Sequence, residues 1–382
     1  MNILRITTLL LTASLMSGCS WWFGDEEILP ADLTSFKEEV KVKNLWSSKV
    51  GSGLGDNYHE FRPAILSDRI YVCDSEGTIE ALDLNTGKVI WSVDTEVVLS
   101  SGVGVGDGKV LVTSNDGRLL AFKALDGEPL WTTLLSSESV VPPQVNGKVV
   151  LVQTIDGRLT GFEPSSGEQL WFYSAQIPAL SLRGTSTPIL TDEAAFAGFS
   201  NGKVVALNSV SGEVAWEARA AIPEGKTELE RMVDVDGELL LSGNQLYVSS
   251  YQGRLVAIAA NNGRIYWNKP LSSFQGVAEN ISQLFASDAE GNVRAFEKSN
   301  GLEYWKQEGL FYRQSTAPIV LKNTVAVADY QGYVHFMSPQ DGRFVAREQV
   351  DSSGVRGPLL VQDDVLYVYG NSGRLTALTL DK

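Results

Sequence analysis

From about residue 40 to the C-terminus, the chain is a succession of short runs in which apolar and polar residues alternate, each bounded by Gly, Asn or Asp. Alternation with a period of two predicts half-buried β-strands, and turn residues between the runs predict tight hairpins. The runs recur in a fixed order. A turn glycine opens a strand, a second turn ends in another glycine, and the next strand carries a tryptophan, as in GRLLAFKALDGEPLW from Gly117 and GRLTGFEPSSGEQLW from Gly157. Fourteen residues separate opener from closer in Gly77/Trp91, Gly117/Trp131, Gly157/Trp171, Gly202/Trp216, Gly253/Trp267 and Gly291/Trp305. In Gly332/Ala346 the spacing is kept and the aromatic lost.

Another apolar run lies upstream of each opening glycine, such as Lys109 to Val112 or Gln245 to Val248. Several units start still earlier with a run entered through proline (Pro63, Pro143, Pro188, Pro318 and Pro358), a position where no ladder bond is lost. Four short antiparallel strands in a unit of about 40 residues make one propeller blade. Gly373 opens an eighth unit, but the chain stops at Lys382, before a closing strand. Trp46, with no opening glycine before it, supplies the missing strand from residues near 42–50. The expected fold is all-β: an eight-bladed β-propeller over residues 42–382, its last four-stranded blade completed by the N-terminal strand, leaving no open seam. Trp46, Trp91, Trp131, Trp171, Trp216, Trp267 and Trp305 recur at one fixed place per blade, which marks them as structural. A ligand platform needs only one or two.

The N-terminus has a different pattern. Met1 to Arg5 is a short positive leader, Ile6 to Met16 an apolar core, and Ser17-Gly18-Cys19 a run of small residues ending in cysteine. Residues 1–18 are a signal peptide, excluded from the fold. The stretch before Cys19 resembles the lipobox of bacterial lipoproteins, with Met16 where leucine is usual. That resemblance implies acylation of Cys19 and, with Ser20 after it, an outer-membrane destination. Residues 19–41, acidic and without repeat, read as a flexible tether, with Trp21, Trp22 and Phe23 suited to the membrane interface.

With 46 acidic against 31 basic residues, the chain is a poor ligand for nucleic acid. Once Cys19 is acylated only Cys73 remains, in a strand, so no internal disulfide forms. The two histidines, His59 and His335, are far apart and make no histidine-rich metal site.

The wording from Ala81 to Trp91 is similar to the tryptophan-docking repeat of the pyrroloquinoline-quinone dehydrogenases, which are also eight-bladed. Those enzymes hold the quinone against two adjacent cysteines and a calcium ion near the axis. This sequence has no adjacent cysteine pair and no Cys-x-x-Cys-His, so no catalytic residue, cofactor or metal is expected, and the shared fold carries no activity. The reading favoured is a docking scaffold; the alternatives left open are a quinone-type dehydrogenase and a propeller that takes cell-wall sugars in its central channel.

The repeat intervals favour one region. The longest neighbouring intervals, Trp171–Trp216 and Trp216–Trp267, place enlarged connections side by side on one face: Gln176 to Gly184, and Ala221 to Glu238. The first offers Leu180 and Leu182 beside Arg183; the second holds Glu228, Glu230, Asp234 and Asp236. An apolar pair with one arginine, rimmed by carboxylates, suits a protein partner. Equally, the two leucines could start an inner strand and face the core.

With a lipobox, an acidic tether, eight such repeats, Leu180-Ser181-Leu182-Arg183-Gly184 and Asp234-Val235-Asp236, the whole chain resembles the BamB family, lipoprotein subunits of the outer-membrane β-barrel assembly machinery. The resemblance implies a non-catalytic scaffold on the periplasmic face of the outer membrane, anchored through Cys19. It implies that Leu180, Leu182, Arg183, Asp234 and Asp236 meet the POTRA domains of BamA. It also implies contact with other subunits of the machinery and help in handing over unfolded outer-membrane proteins.

Overall fold

The computed structural model describes residues 28–381, except 56–60, 179, 182 and 183. Its 32 strands, β1 to β32 in chain order, form eight four-stranded antiparallel sheets, and no helix occurs among the described residues. Blade one runs β2 (Ala64–Leu66), β3 (Arg69–Cys73), β4 (Thr78–Asp83) and β5 (Val89–Asp94), from the innermost strand outward, and six further blades repeat that order. Blade eight is made by both chain ends: β30 (Leu360–Gln362), β31 (Val365–Tyr369), β32 (Arg374–Asp381) and, outermost, β1 (Lys41–Lys49). Lys41 pairs with Asp381 and Lys49 with Arg374, so the ring closes as the orphaned Trp46 predicts.

Each tryptophan joins its blade to the next. The indole Nε1 of Trp46, Trp91, Trp131, Trp171, Trp216, Trp267 and Trp305 donates to a carbonyl of the following blade at 2.8–3.2 Å. The ring lies against the hairpin glycine there: Trp305 against Gly342, Trp46 against Gly87, and so on around the disc. Gly342 has φ +73°, and a Cβ on it would collide with the Trp305 ring, so both backbone and space require glycine. Within its own sheet each indole sits opposite a small residue of the third strand. Trp91 pairs with Ala81, Trp131 with Ala121, Trp171 with Gly161 and Trp305 with Ala295. Blade seven inverts the sizes: Ala346 pairs with Phe336.

Burial follows the pleat, with second and third strands inside and fourth strands half exposed. Cys73 is buried, and desolvation pushes its thiol pKa well up, as suits a core residue.

The strand turns divide the disc into two faces. One, the hairpin face, carries the turns between first and second and between third and fourth strands. The other, the loop face, carries the turns between second and third strands and every blade-to-blade connection.

One expectation is corrected. The proposed tether is not free along its length, because residues 31–40 pack along the outer edge of blade seven. Glu39 and Val40 amides donate to the Val345 carbonyl, and the Ala31 amide to that of Phe311, at 2.9–3.3 Å. The Phe36 ring packs on Phe344, and Leu33 joins the core cluster around Trp305. The segment expected to be a signal sequence lies outside the described residues, as do Cys19, Trp21, Trp22, Phe23 and His59.

A candidate interaction surface on the loop face

Three blade-to-blade connections are longer than the rest: one where the ring closes, from β1 to β2, and two that leave adjacent blades. The adjacent pair forms the candidate surface. The first joins β13 (Gln169–Ser174) to β14 (Ile189–Leu190); the second joins β17 (Val214–Arg219) to β18 (Leu240–Ser242). Both emerge on the loop face from adjacent blades.

The first leaves its sheet anchored by the Ala175 amide on the Gly157 carbonyl and by Asn201 Nδ2 on the Gln176 carbonyl, at 2.9 and 2.8 Å. It returns through Thr185, Ser186 and Thr187, all buried, with the Gly198 amide donating to Ser186 Oγ at 3.0 Å. Between these anchors Ile177 and Leu180 stand exposed. Leu180 is 42% exposed and nine residues ahead of β14, so it does not start an inner strand. Leu182 and Arg183 lie outside the described residues.

The second connection folds on itself. Glu230 accepts from the Lys226 and Thr227 amides at 2.7 and 3.1 Å, and these bonds hold its carboxyl below the usual carboxylate range. Met232, Val233 and Val235 are buried, whereas Ile222 and Leu229 are exposed. Asp234 is fully buried and Asp236 half-buried. The expected rim of carboxylates is corrected at Asp234, which is buried in the floor; Glu228 and Glu230 are exposed, Glu230 also capping its own turn.

The two connections meet. A Cβ on Gly184 would come within 3.0 Å of the Asp236 carboxylate, so the two connections lie close together at this glycine. Thr187 Oγ1 lies 3.4 Å from Glu238 Oε1, and Val235 packs beneath Gly198. Glu238 also pairs with Arg62, 176 residues away at the start of blade one. The structure thus sets Gly184 of the first connection against Asp236 of the second and leaves Leu180 exposed on the first; Ile177, Ile222 and Leu229 are further exposed aliphatic residues of the two connections. Sequence reasoning passed over those three because isolated apolar residues in long loops carry no periodicity. Chemically, the surface offers exposed aliphatic side chains on a fixed floor, which suits a protein partner.

Among the described residues no three His, Cys, Asp or Glu side chains are grouped to hold a metal ion. His335 is buried beside Asp329 and receives a bond from Arg347, while Arg313 pairs with the same Asp329.

The family model for "Outer membrane protein assembly factor BamB" matches residues 75–307. A relative of that name from Pseudomonas aeruginosa is 45% identical over 372 residues, covering 97% of this chain and 98% of its own. The crystal structure of BamB from Moraxella catarrhalis superposes with a TM-score of 0.82 at 26% identity, covering 89% of this chain and 100% of that one. The quinohemoprotein alcohol dehydrogenase from Comamonas testosteroni has a TM-score of 0.71 at 13% identity, covering 88% of this chain and 76% of its own, a likeness of fold alone.

Proposed function

Since the chain belongs to the BamB family of outer membrane protein assembly factors, we propose that it is a non-catalytic scaffold anchored through Cys19 to the periplasmic face of the outer membrane. Its partners are the POTRA domains of BamA and the other subunits of the machinery, and its task is to assist delivery and insertion of outer-membrane proteins. The supporting observation is the pair of enlarged connections held together on the loop face, with Ile177, Leu180, Ile222 and Leu229 exposed above buried anchors. In this reading Leu180, Leu182 and Arg183 touch the partner. Asp234 and Asp236 act from beneath by fixing the loops.

Binding of the purified propeller to the periplasmic part of BamA tests it. Leu180→Asp and Arg183→Glu are expected to weaken binding by tenfold or more, on the order of 1–2 kcal/mol for interface anchors, with unchanged melting temperature. Unaltered affinity, or variants that unfold, would remove these residues from the contact. A rise in melting temperature with pyrroloquinoline quinone and calcium would overturn the non-catalytic part.

A further inference from the structure

The stretch from Ala31 to Val40 has a direction. β1 enters blade eight on the hairpin face, where Lys41 pairs with Asp381. Preceding residues climb the outer edge of blade seven. Val40 and Glu39 bond Val345, near the hairpin-face start of β29 (Phe344–Gln349), and Phe36 packs on Phe344. Thr34 offers its carbonyl to Arg347 Nη1 at 3.1 Å. Ala31 bonds Phe311 in the connection between β25 (Glu303–Gln307) and β26 (Ile319–Leu321), which belongs to the loop face.

The contacts form a clamp. Arg343 grips Glu39 with two bonds of 2.9 Å, and that bond lowers the Glu39 carboxyl pKa. Arg313, itself buried, sends Nη1 to the Ala31 carbonyl at 3.0 Å while Nε donates to Asp329 at 2.8 Å. Arg347 lies over the Phe36 ring at 4.9 Å and donates to His335 Nδ1 at 3.0 Å. Two arginines held by a buried Asp329–His335 pair thus fasten the backbone at both Ala31 and Thr34.

We infer that residues 31–40 are a strap that carries the chain across the edge of blade seven, so that the lipid tether leaves from the loop face. The inference rests on the Cys19 anchor proposed above. Without the strap, the chain would leave the disc at Lys41, on the opposite face. About twelve residues then separate Cys19 from Ala31, a reach of at most roughly 40 Å, so the loop face, with its candidate contact surface, is turned toward the membrane. Releasing the strap would add roughly 33 Å of slack and free the disc to turn over.

The acylated full-length protein on vesicles containing brominated lipids tests this. Fluorophores are placed at Gln314→Cys on the loop face and at Leu125→Cys on the hairpin face. Stronger quenching at Gln314, and loss of the difference in Phe36→Asp/Arg343→Glu, is the expected result. Equal or stronger quenching at Leu125, or a double variant that keeps the difference, overturns it. Should the protein not bind vesicles, the anchor reading fails by itself, and amide exchange decides the strap in the soluble propeller. Slow exchange at Ala31, lost in the double variant, supports it; fast exchange at Ala31 in the parent overturns it.

Discussion

Seven of the eight blade junctions are closed by an indole that docks on a hairpin glycine; the junction between blades seven and eight is closed by main chain. The difference has a physical cause. An indole needs a turn between the third and fourth strands of the next blade. Blade eight has none, because those strands are opposite ends of the chain. Ala346, where Trp would stand, belongs instead to a cluster packed by Val40 and Val42 as the chain passes from strap to β1. The volume lost there returns on the neighbouring strand as Phe336. A repeat protein closed by its termini must change its joint at the point of closure.

Removing the strand that makes the joint has the largest expected effect. Deleting residues 28–50 strips β32 of its partner, exposes a long edge, and takes Trp46 from blade one. Loss of the cooperative melting transition and a larger hydrodynamic radius are expected. A truncated protein as compact and heat-resistant as the parent would mean that the seam is dispensable.

Substitution at an ordinary junction comes next. Trp131→Ala leaves a cavity against Gly167 and frees the Pro164 carbonyl, and should cost about 3–5 kcal/mol by denaturant unfolding. The reverse change at the seam sharpens the contrast. Ala346→Trp places an indole opposite Phe336 and against Val40 and Val42, so the residue that stabilises seven junctions should destabilise this one by about 1–3 kcal/mol. Adding Phe336→Ala should recover part of that loss. Were Ala346→Trp stabilising, the packing argument for the seam would be wrong.

The pattern behind these predictions lies in the sequence. Four residues after each opening glycine stands Ala81, Ala121, Gly161, Ala206, Ala257, Ala295 or Ala377, and in the seventh unit Phe336. Blade count, strand order and closure were legible because they depend on short-range periodicity and one leftover tryptophan. The strap was not. Its bonds are main-chain carbonyls taken by Arg313 and Arg347, some 300 residues away, and an acidic segment without repeat reads as solvated chain. The candidate surface was half legible. Repeat intervals located both loops, but which carboxylate faces inward depends on local folding: Asp234 lies beneath the loop while Glu230, four residues earlier, stays exposed.

The smallest expected effect is a pH dependence confined to the seam. His335 is fully buried, with Nε2 3.0 Å from Asp329 Oδ2 and Nδ1 accepting from Arg347. Burial lowers its pKa; the bond to Asp329 opposes this, and the charges of Arg347 and Arg313 add to the lowering. Desolvation raises the Asp329 carboxyl, but bonds from His335, Arg313 and the Tyr333 amide outweigh it, so its pKa is lowered. The histidine is therefore neutral in the fold and takes up a proton more readily when unfolded. Its contribution to stability is complete above the unfolded pKa, near 6.5. It is lost as pH falls from there toward the folded value, with a slope of at most about 1.4 kcal/mol per pH unit. Protonation would also end the bond from Arg347, which holds Thr34, so amide exchange at Ala31 should quicken at pH 5.5 relative to intrinsic rates. Amides next to Trp131 should not change. His335→Gln should flatten the fall in urea midpoint between pH 7.5 and 5.5, whereas His59→Gln should leave it. An equal fall in both variants would place the proton-sensitive group elsewhere in the ring and separate the strap from the buried network.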